Sequence, residues 1–257
     1  MRADLECLKV LSTEQGSQWR SLLSARQSAF GCWEFASIVE RHRDVAARLI
    51  LLGSPGGNGL VVYPLFLRAM SSLPCVTSVP GVQWDAASPE FTGPLLLESN
   101  TEGTGAAFRE CLDRYCQEGQ IVTEFAHLHP WRSAPGAQRP ENVHRDREIV
   151  YVDLALSATD LWERSLTYAC RKNITRARRG NVRVFAAETP EQIRQFHQIY
   201  IHTMERNRAQ ARYYYPLQFF MDVFEQMPKN ARFALAEHGG RIVAGTLFLY
   251  DDQDVYS

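Results

Sequence analysis

Between Tyr168 and Val184 the chain carries Arg171, Lys172, Arg176, Arg178, Arg179 and Arg183 without a single carboxylate. The whole protein has a formal charge of only −1, so the cations are concentrated locally in an otherwise balanced chain. On a helix turning about 100° per residue, Arg171, Lys172, Arg176, Arg178 and Arg179 fall within an arc of roughly 160°. Leu166, Ala169, Cys170, Ile174 and Ala177 take the opposite side. One face can then pack on a core while the other holds an anion. Phosphate suits it best, because the arginine fork matches its oxygens in a bidentate way. A solvated basic face is the plainer reading of the same pattern. Gly180 is placed to end this helix in a left-handed conformation.

Other groups could contribute. Arg206, in the cluster Glu205-Arg206-Asn207-Arg208, either contacts an anion or complements a helix C-terminus. Trp84 and Asp85 could line a groove for a sugar or peptide, since aromatic faces suit such ligands. Asp85, Glu205 and the histidines are candidate bases, although each reads equally well as a structural or surface residue. No G-x-S-x-G elbow occurs, and the glycine-rich stretch Ser54–Gly59 lacks the Lys-Ser/Thr of a phosphate-binding loop. The catalytic residue is therefore left unassigned. Cys7, Cys32, Cys75, Cys111, Cys116 and Cys170 form no C-x-x-C pair. They read as reduced thiols of a cytoplasmic protein, with no metal site. The acidic start Met-Arg-Ala-Asp-Leu-Glu is no secretion signal, and no apolar run reaches the ~20 residues of a membrane span.

Elements that would position these groups follow from periodicity and end signals. In the first half, a strand over Leu5–Leu11 leads into a helix opened by Ser12-Thr13-Glu14-Gln15, then a helix over Cys32–Arg43. Strands at Ala47–Leu52 and Leu60–Phe66 follow, then an irregular stretch Ser71–Ser99 with one short strand at Pro94–Leu97. A helix over Thr104–Glu118, a strand over Ile121–Leu128 and an exposed loop Arg132–Arg147 complete it. The second half offers a strand at Ile149–Leu154 and a helix capped by Ser157. The basic helix, a strand at Val182–Ala186, a helix opened by Thr189-Pro190-Glu191-Gln192 and another from Pro216 come next. Strands Arg232–Glu237 and Arg241–Tyr250 close it, joined by His238-Gly239-Gly240. Strand, helix, helix, strand, strand occurs in both halves, so two α/β domains are expected, at 1–147 and 148–257.

That order resembles the opening of the GNAT acyltransferase fold, and the wording of the second half is more specific. Arg171-Lys172-Asn173-Ile174-Thr175-Arg176-Ala177-Arg178-Arg179-Gly180-Asn181-Val182 is similar to the "(R/K)-x-x-I-R-x-A-x-(K/R)-x-G-V" segment of Fem-type (FemAB-like) transferases. Phe196–Arg206, Tyr215-Pro216 and Phe219-Phe220 resemble that family's "F-x-x-x-Y-x-x-T-x-x-R … Y-x-x-x-F-F" region. Ala234-Leu235-Ala236-Glu237 through Val243-Ala244-Gly245-Thr246-Leu247 resembles its "A-x-x-x-G-x-x-V-A-G-x-L" hairpin. In the first half, Tyr63-Pro64-Leu65 and Phe91-Thr92-Gly93-Pro94-Leu95 are similar to the family's strand and its "Y-x-G-P" loop, with Phe91 in place of the tyrosine.

The resemblance implies two GNAT-like domains, each a mixed sheet flanked by helices, the second C-terminally truncated as its fourth strand Val255-Tyr256-Ser257 begins. It implies transfer of an acyl or aminoacyl group to an amine of a cell-envelope glycan or peptidoglycan precursor. The co-substrate would be acyl-CoA or aminoacyl-tRNA, with no tightly bound cofactor. Tyr63, Phe91, Thr92, Gly93 and Pro94 would meet the acceptor, with Thr92 supplying the hydroxyl that Phe91 lacks. Arg171, Lys172, Arg176, Arg206 and Tyr215 would meet an anionic precursor or tRNA. Without the fifth strand, residues 1–257 would have little activity, and the strand Thr246–Tyr250 would invite a homodimer; peripheral membrane contact also fits. The competing class is a nucleic-acid-binding or non-catalytic binding protein using the basic helix 168–183.

Overall fold

The computed structural model describes residues 8–53, 59–73, 82–98, 103–146 and 148–257. Their first sheet holds β1 (Lys9–Ser12), β2 (Ala46–Gly53), β3 (Leu60–Ala69), β4 (Trp84–Ala87), β5 (Leu95–Leu96) and β6 (Ile121–Phe125). Its order is β1-β2-β3-β4-β6, with β5 also on β3, and β6 runs parallel to β4 while the other pairs are antiparallel. Successive side chains of a strand point to opposite faces. In β2 and β3 both directions are apolar, so both faces must be covered. Leu49, Leu51, Leu60 and Val62 pack with Trp19 of α1 (Gly16–Leu22) and Ala36 of α2 (Trp33–His42). Ile50, Val61, Tyr63 and Leu65 pack with Phe108 and Leu112 of α3 (Thr104–Glu118).

End signals act as read. The Ser12 N–H donates to Gln15 Oε1 at 2.8 Å where the chain turns into α1, and Cys32 Sγ accepts from the Phe35 N–H to cap α2. A short turn α4 (Ala158–Asp160) is capped by Ser157, whose Oγ accepts from the Asp160 N–H at 3.1 Å. It continues into one wide turn, Leu161–Ser165, and then α5 (Tyr168–Arg179), capped by Thr167. After β7 (Arg183–Ala186), Thr189 and Gln192 close a reciprocal capping box on α6 (Pro190–Arg206), with Pro190 at its first position. α7 (Leu217–Gln226) follows Pro216 and is held to α2 by Asp222. That carboxylate accepts from Arg41 Nη2 at 3.1 Å and from Gln218 Nε2 at 2.8 Å, with His42 Nε2 at 2.8 Å. Burial raises the Asp222 carboxyl, but the bonds from Gln218, His42 and Arg41 outweigh it and hold the group below its ordinary value.

A second sheet has the order β10-β9-β8-β7, where β8 is Ala231–His238, β9 is Arg241–Tyr250 and β10 is Val255–Tyr256. Gly239 (φ +56°) and Gly240 (φ +75°) make the tight turn between β8 and β9, a conformation that two-residue hairpins require. Chain contacts separate two compact units. One comprises the described residues up to Val143 together with Tyr215–Ala231 and Phe248–Ser257; the other comprises His144–Tyr214 and Arg232–Leu247. The architecture is α/β, with two sheets flanked by helices.

Several local expectations are corrected. Ile149–Leu154 alternates like a strand but belongs to no strand among the described residues, and Val150 is 97% and Leu154 62% exposed. Alternation gives a strand only where an edge accepts its backbone bonds. Conversely Trp84–Ala87, expected to be irregular, is a strand because β3 and β6 flank it. The strand from Ile121 stops at Phe125, short of Leu128. Loop residues Ala134 and Ala137 are enclosed rather than exposed, and the Ala134 N–H donates to Pro94 O at 2.8 Å. α5 ends with Gly180 at an ordinary φ of −81°, while Asn181 takes the left-handed position at φ +55°. The Val182 N–H then reaches Ala177 O and the Asn181 N–H reaches Arg178 O, the paired bonds of a Schellman end. Cys111 is disulfide-bonded, which corrects the expectation of reduced thiols throughout; through-space pairing leaves no spacing signal. The expected turn Ser54–Gly59 lies outside the described residues except for Gly59, as do Cys7, Cys75 and Leu5.

Candidate functional site

Trp162, Tyr168, Arg171, Lys172, Thr175, Arg176 and Arg179 line an open trough of about 400 Å³ in the second unit. Tyr168, Lys172, Arg176 and Arg179 follow one another along α5 at spacings of four, four and three, which is one helix edge. Trp162 comes from the wide turn just before. Arg171 ties the two together: its Nη1 donates to Trp162 O (3.0 Å), Glu163 O (3.0 Å) and Leu166 O (2.8 Å). Thr175 Oγ1 donates to Arg171 O, and the Arg178 guanidinium lies 5.5 Å from the Trp162 ring centroid. Of the arginine and lysine residues expected to meet an anion, then, Arg171 is held by the backbone carbonyls just before its helix. Lys172 and Arg176 are exposed.

The rest of the second unit packs on α6. Ile193 and Phe196 are enclosed with Phe233 and Leu235 of β8, and the Phe196 and Phe233 rings meet edge to face at 5.0 Å. Gly245 of β9 lets this happen, because a Cβ there would sit 2.7 Å from Phe196 Cδ2 and 3.0 Å from Leu235 Cδ2. Helix, strand, helix, helix and a strand hairpin thus run in order from α5 to β10. Residues 164–257 match the family model of an acetyltransferase (GNAT) domain. No curated protein matches the chain. The GNAT stretch takes in the basic helix, Arg206, Tyr215 and the Gly245 strand, which supports an acyltransferase, and GNAT domains use acyl-CoA as co-substrate. Within it Arg206 is exposed in the last turn of α6 and is not part of the trough lining. Tyr215 carries the Arg43 guanidinium 3.9 Å above its ring and packs on Phe219 at 4.4 Å.

In the first unit a polar constellation gathers around Arg132. Its Nη2 donates to Asp251 Oδ2 (2.9 Å) and to the Tyr256 hydroxyl (2.7 Å), and its Nη1 donates to Gln27 O (2.9 Å). Asp254 lies 3.1 Å from the same guanidinium. His129 Nε2 lies 3.1 Å from Tyr256 OH and 3.3 Å from Asp254. The Tyr256 ring stacks on Phe91 at 5.5 Å and 17°, and Phe30 meets it edge-on at 5.0 Å. Phe91 itself is held at φ +49°, a left-handed conformation that costs a bulky residue about 1–3 kcal/mol. Burial, and then the Arg132 charge, lower the His129 imidazole from its ordinary 6.5, so it is neutral at neutral pH. Burial and the Asp251 charge push the Tyr256 phenol up.

A depressed His129 value means that the unfolded chain binds this proton more readily than the folded one. Its contribution is complete above the unfolded value near 6.5 and is lost as pH falls through the lower folded value. Urea midpoints of wild type should therefore decline from pH 7 to pH 5, and those of His129→Gln should be flatter over the same window. Equal slopes for the two proteins would show that His129 is not the titrating group. A further decline belongs to Asp222, whose contribution is complete above its unfolded 3.8 and lost below it.

The remaining predicted residues fall within the first unit. Tyr63 is fully enclosed, and its hydroxyl donates to Glu124 Oε1 at 2.9 Å, itself paired with Arg109. Thr92 is also fully enclosed and donates to Pro89 O at 2.7 Å, so the hydroxyl expected to serve the acceptor is taken up within its own loop. Gly93 (φ +62°) lets the loop pass Leu128, where a Cβ would come within 2.8 Å of Cδ2, and Pro94 leads into β5. Trp84 is half-buried against the α3 side of the sheet, and Asp85 is forked by Arg68 of β3. Burial raises the Cys32 thiol to about 12 and the Cys116 thiol to about 11, which removes both as thiolate nucleophiles. Sequence reasoning missed Trp162, Tyr168 and Thr175 on the trough. Tyr168, four residues before Lys172, carried a signal; Trp162, outside the helix period, did not. It also missed the Arg132 group, whose members are spread from Gln27 to Tyr256. Among the described residues no helix is long and apolar enough to cross a membrane.

Proposed function

We propose that the protein transfers an acyl group from acyl-CoA to an amine on a cell-envelope glycan or peptidoglycan precursor, in the manner of Fem-type enzymes. The GNAT match over residues 164–257 carries this reading. The amine nitrogen adds to the thioester carbonyl, the C–S bond breaks, and the proton lost by nitrogen balances the departing thiolate. Such a reaction asks chiefly for positioning and carbonyl polarisation, and no buried thiolate or serine elbow is needed. The exposed cations of α5 favour a negatively charged acceptor. The test is release of free thiol from acetyl-CoA by the purified chain, with and without an amine panel that includes amino sugars and peptidoglycan peptides. Amine-dependent release with mass-verified N-acylation is the expected result, and would overturn the low activity that the resemblance implies for residues 1–257. Transfer only from aminoacyl-tRNA, or no transfer from any donor, overturns the acyl-CoA assignment.

A further inference from the structure

We infer that the trough along α5 is a nucleotide site, with the base against Tyr168 and Trp162 and adjacent phosphates on Lys172, Arg176 and Arg179. Its lining holds two aromatic side chains, two hydroxyls (Tyr168 and Thr175) and four cations, and no carboxylate. Like charges gathered this way repel, and an anion relieves the repulsion. Lys172 and Arg176 are separated by about 6 Å of helix rise and Arg176 and Arg179 by about 4.5 Å, within reach of neighbouring phosphates for side chains of this length. Tyr168 stands one turn before Lys172 and is 74% exposed, an apolar face in water beside the cations. Stacking of a base on such a face tolerates any base.

Arg171 makes the arrangement rigid. Its three bonds to Trp162 O, Glu163 O and Leu166 O fix the turn that carries Trp162 against the helix that carries the cations. The turn bearing the ring and the helix bearing the cations are thus set relative to one another before anything binds. A volume of about 400 Å³ lies in the range of small-molecule sites. The three remaining cations match the charge of one nucleoside diphosphate better than that of a polymer. This chemistry is shared by a free nucleoside diphosphate, a nucleotide-linked sugar and the adenosine end of coenzyme A. The inference rests on the acyl-transfer reading only for which nucleotide is used, because binding is measured without turnover.

The experiment is calorimetric titration of the full chain with ADP, UDP, UDP-N-acetylglucosamine, coenzyme A, inorganic pyrophosphate and a single-stranded RNA, at low and at moderate salt. At least one nucleotide should bind about tenfold or more tightly than pyrophosphate and weaken with salt. Which one binds best names the source. Lys172→Gln/Arg176→Gln should weaken that nucleotide by about tenfold or more, and Tyr168→Ala should bring it towards pyrophosphate, with thermal melting of both variants unchanged. Arg179→Gln, at the helix end, provides the same readout should the double variant melt early. No nucleotide binding, nucleotide binding no tighter than pyrophosphate, binding of RNA alone, or undiminished binding in the glutamine variants overturns the site. Absence of nucleotide binding by the unmutated chain with intact acetyl transfer would remove the trough assignment and leave the enzyme reading in place; nucleotide binding without transfer removes the enzyme reading alone.

Discussion

Arg132→Ala lowers the stability of the first unit by about 3 kcal/mol, the lower end of what removing one partner of a buried pair costs. The reason is the carboxylate left behind. The Asp251 side chain is fully enclosed and Arg132 Nη2 is its cationic partner at 2.9 Å. The same guanidinium also holds the Tyr256 hydroxyl and the Gln27 carbonyl, so its loss frees β10 and the loop after Arg26 together. Asp251 Oδ1 meanwhile accepts from the Gln253 and Asp254 N–H groups at 2.9 Å each. An Arg132→Ala/Asp251→Asn double variant keeps a turn acceptor but removes the stranded charge, and so recovers part of the loss. Urea unfolding of wild type, Arg132→Ala, Asp251→Asn and the double variant at pH 7.5 measures it. An unshifted midpoint for Arg132→Ala, or a double variant weaker than the sum of the singles, would contradict this account of the constellation.

Gly245→Val lowers stability by about 2–3 kcal/mol, the upper part of the range for overpacking a core. The site has no spare volume: the built Cβ already lies 2.7 Å from a Phe196 ring that is itself wedged edge-on against Phe233. Phe196 is 5% exposed, so its ring cannot swing into water without uncovering β8. Shrinking the neighbour provides the control. Phe196→Leu alone leaves a partial void, yet in combination with Gly245→Val the two volumes offset, and the double variant costs less than the sum of the singles. Thermal melts of the four proteins decide. Additivity within about 0.3–0.5 kcal/mol would show that Gly245 and Phe196 do not share the space assigned to them. Because the pair belongs to the GNAT stretch, acyl transfer should fall with the folded fraction in Gly245→Val and return in the double variant.

The sequence determined the parts whose physics is local. Thr189, Pro190 and Gln192 satisfy the first backbone groups of α6 from within four residues, and the structure opens that helix there. Gly239 and Gly240 could be read as a hairpin turn because only a permissive backbone takes two positive φ values in succession. The basic edge of α5 was equally legible, since side-chain direction on a helix follows from spacing alone. The tertiary structure decided everything that depends on closure across the chain. It made a strand of Trp84–Ala87 by giving it neighbours on both sides, and left Ile149–Leu154 outside any described strand. It turned Tyr63 and Thr92 inward, onto Glu124 and Pro89. It brought His129, Arg132, Asp251 and Tyr256 together around Phe91, and it converted Arg171 from one of several cations into the clamp beneath Trp162. Spacing fixes which way a side chain points on its own element; what it meets there depends on which distant segment packs against that face, and no local pattern encodes that.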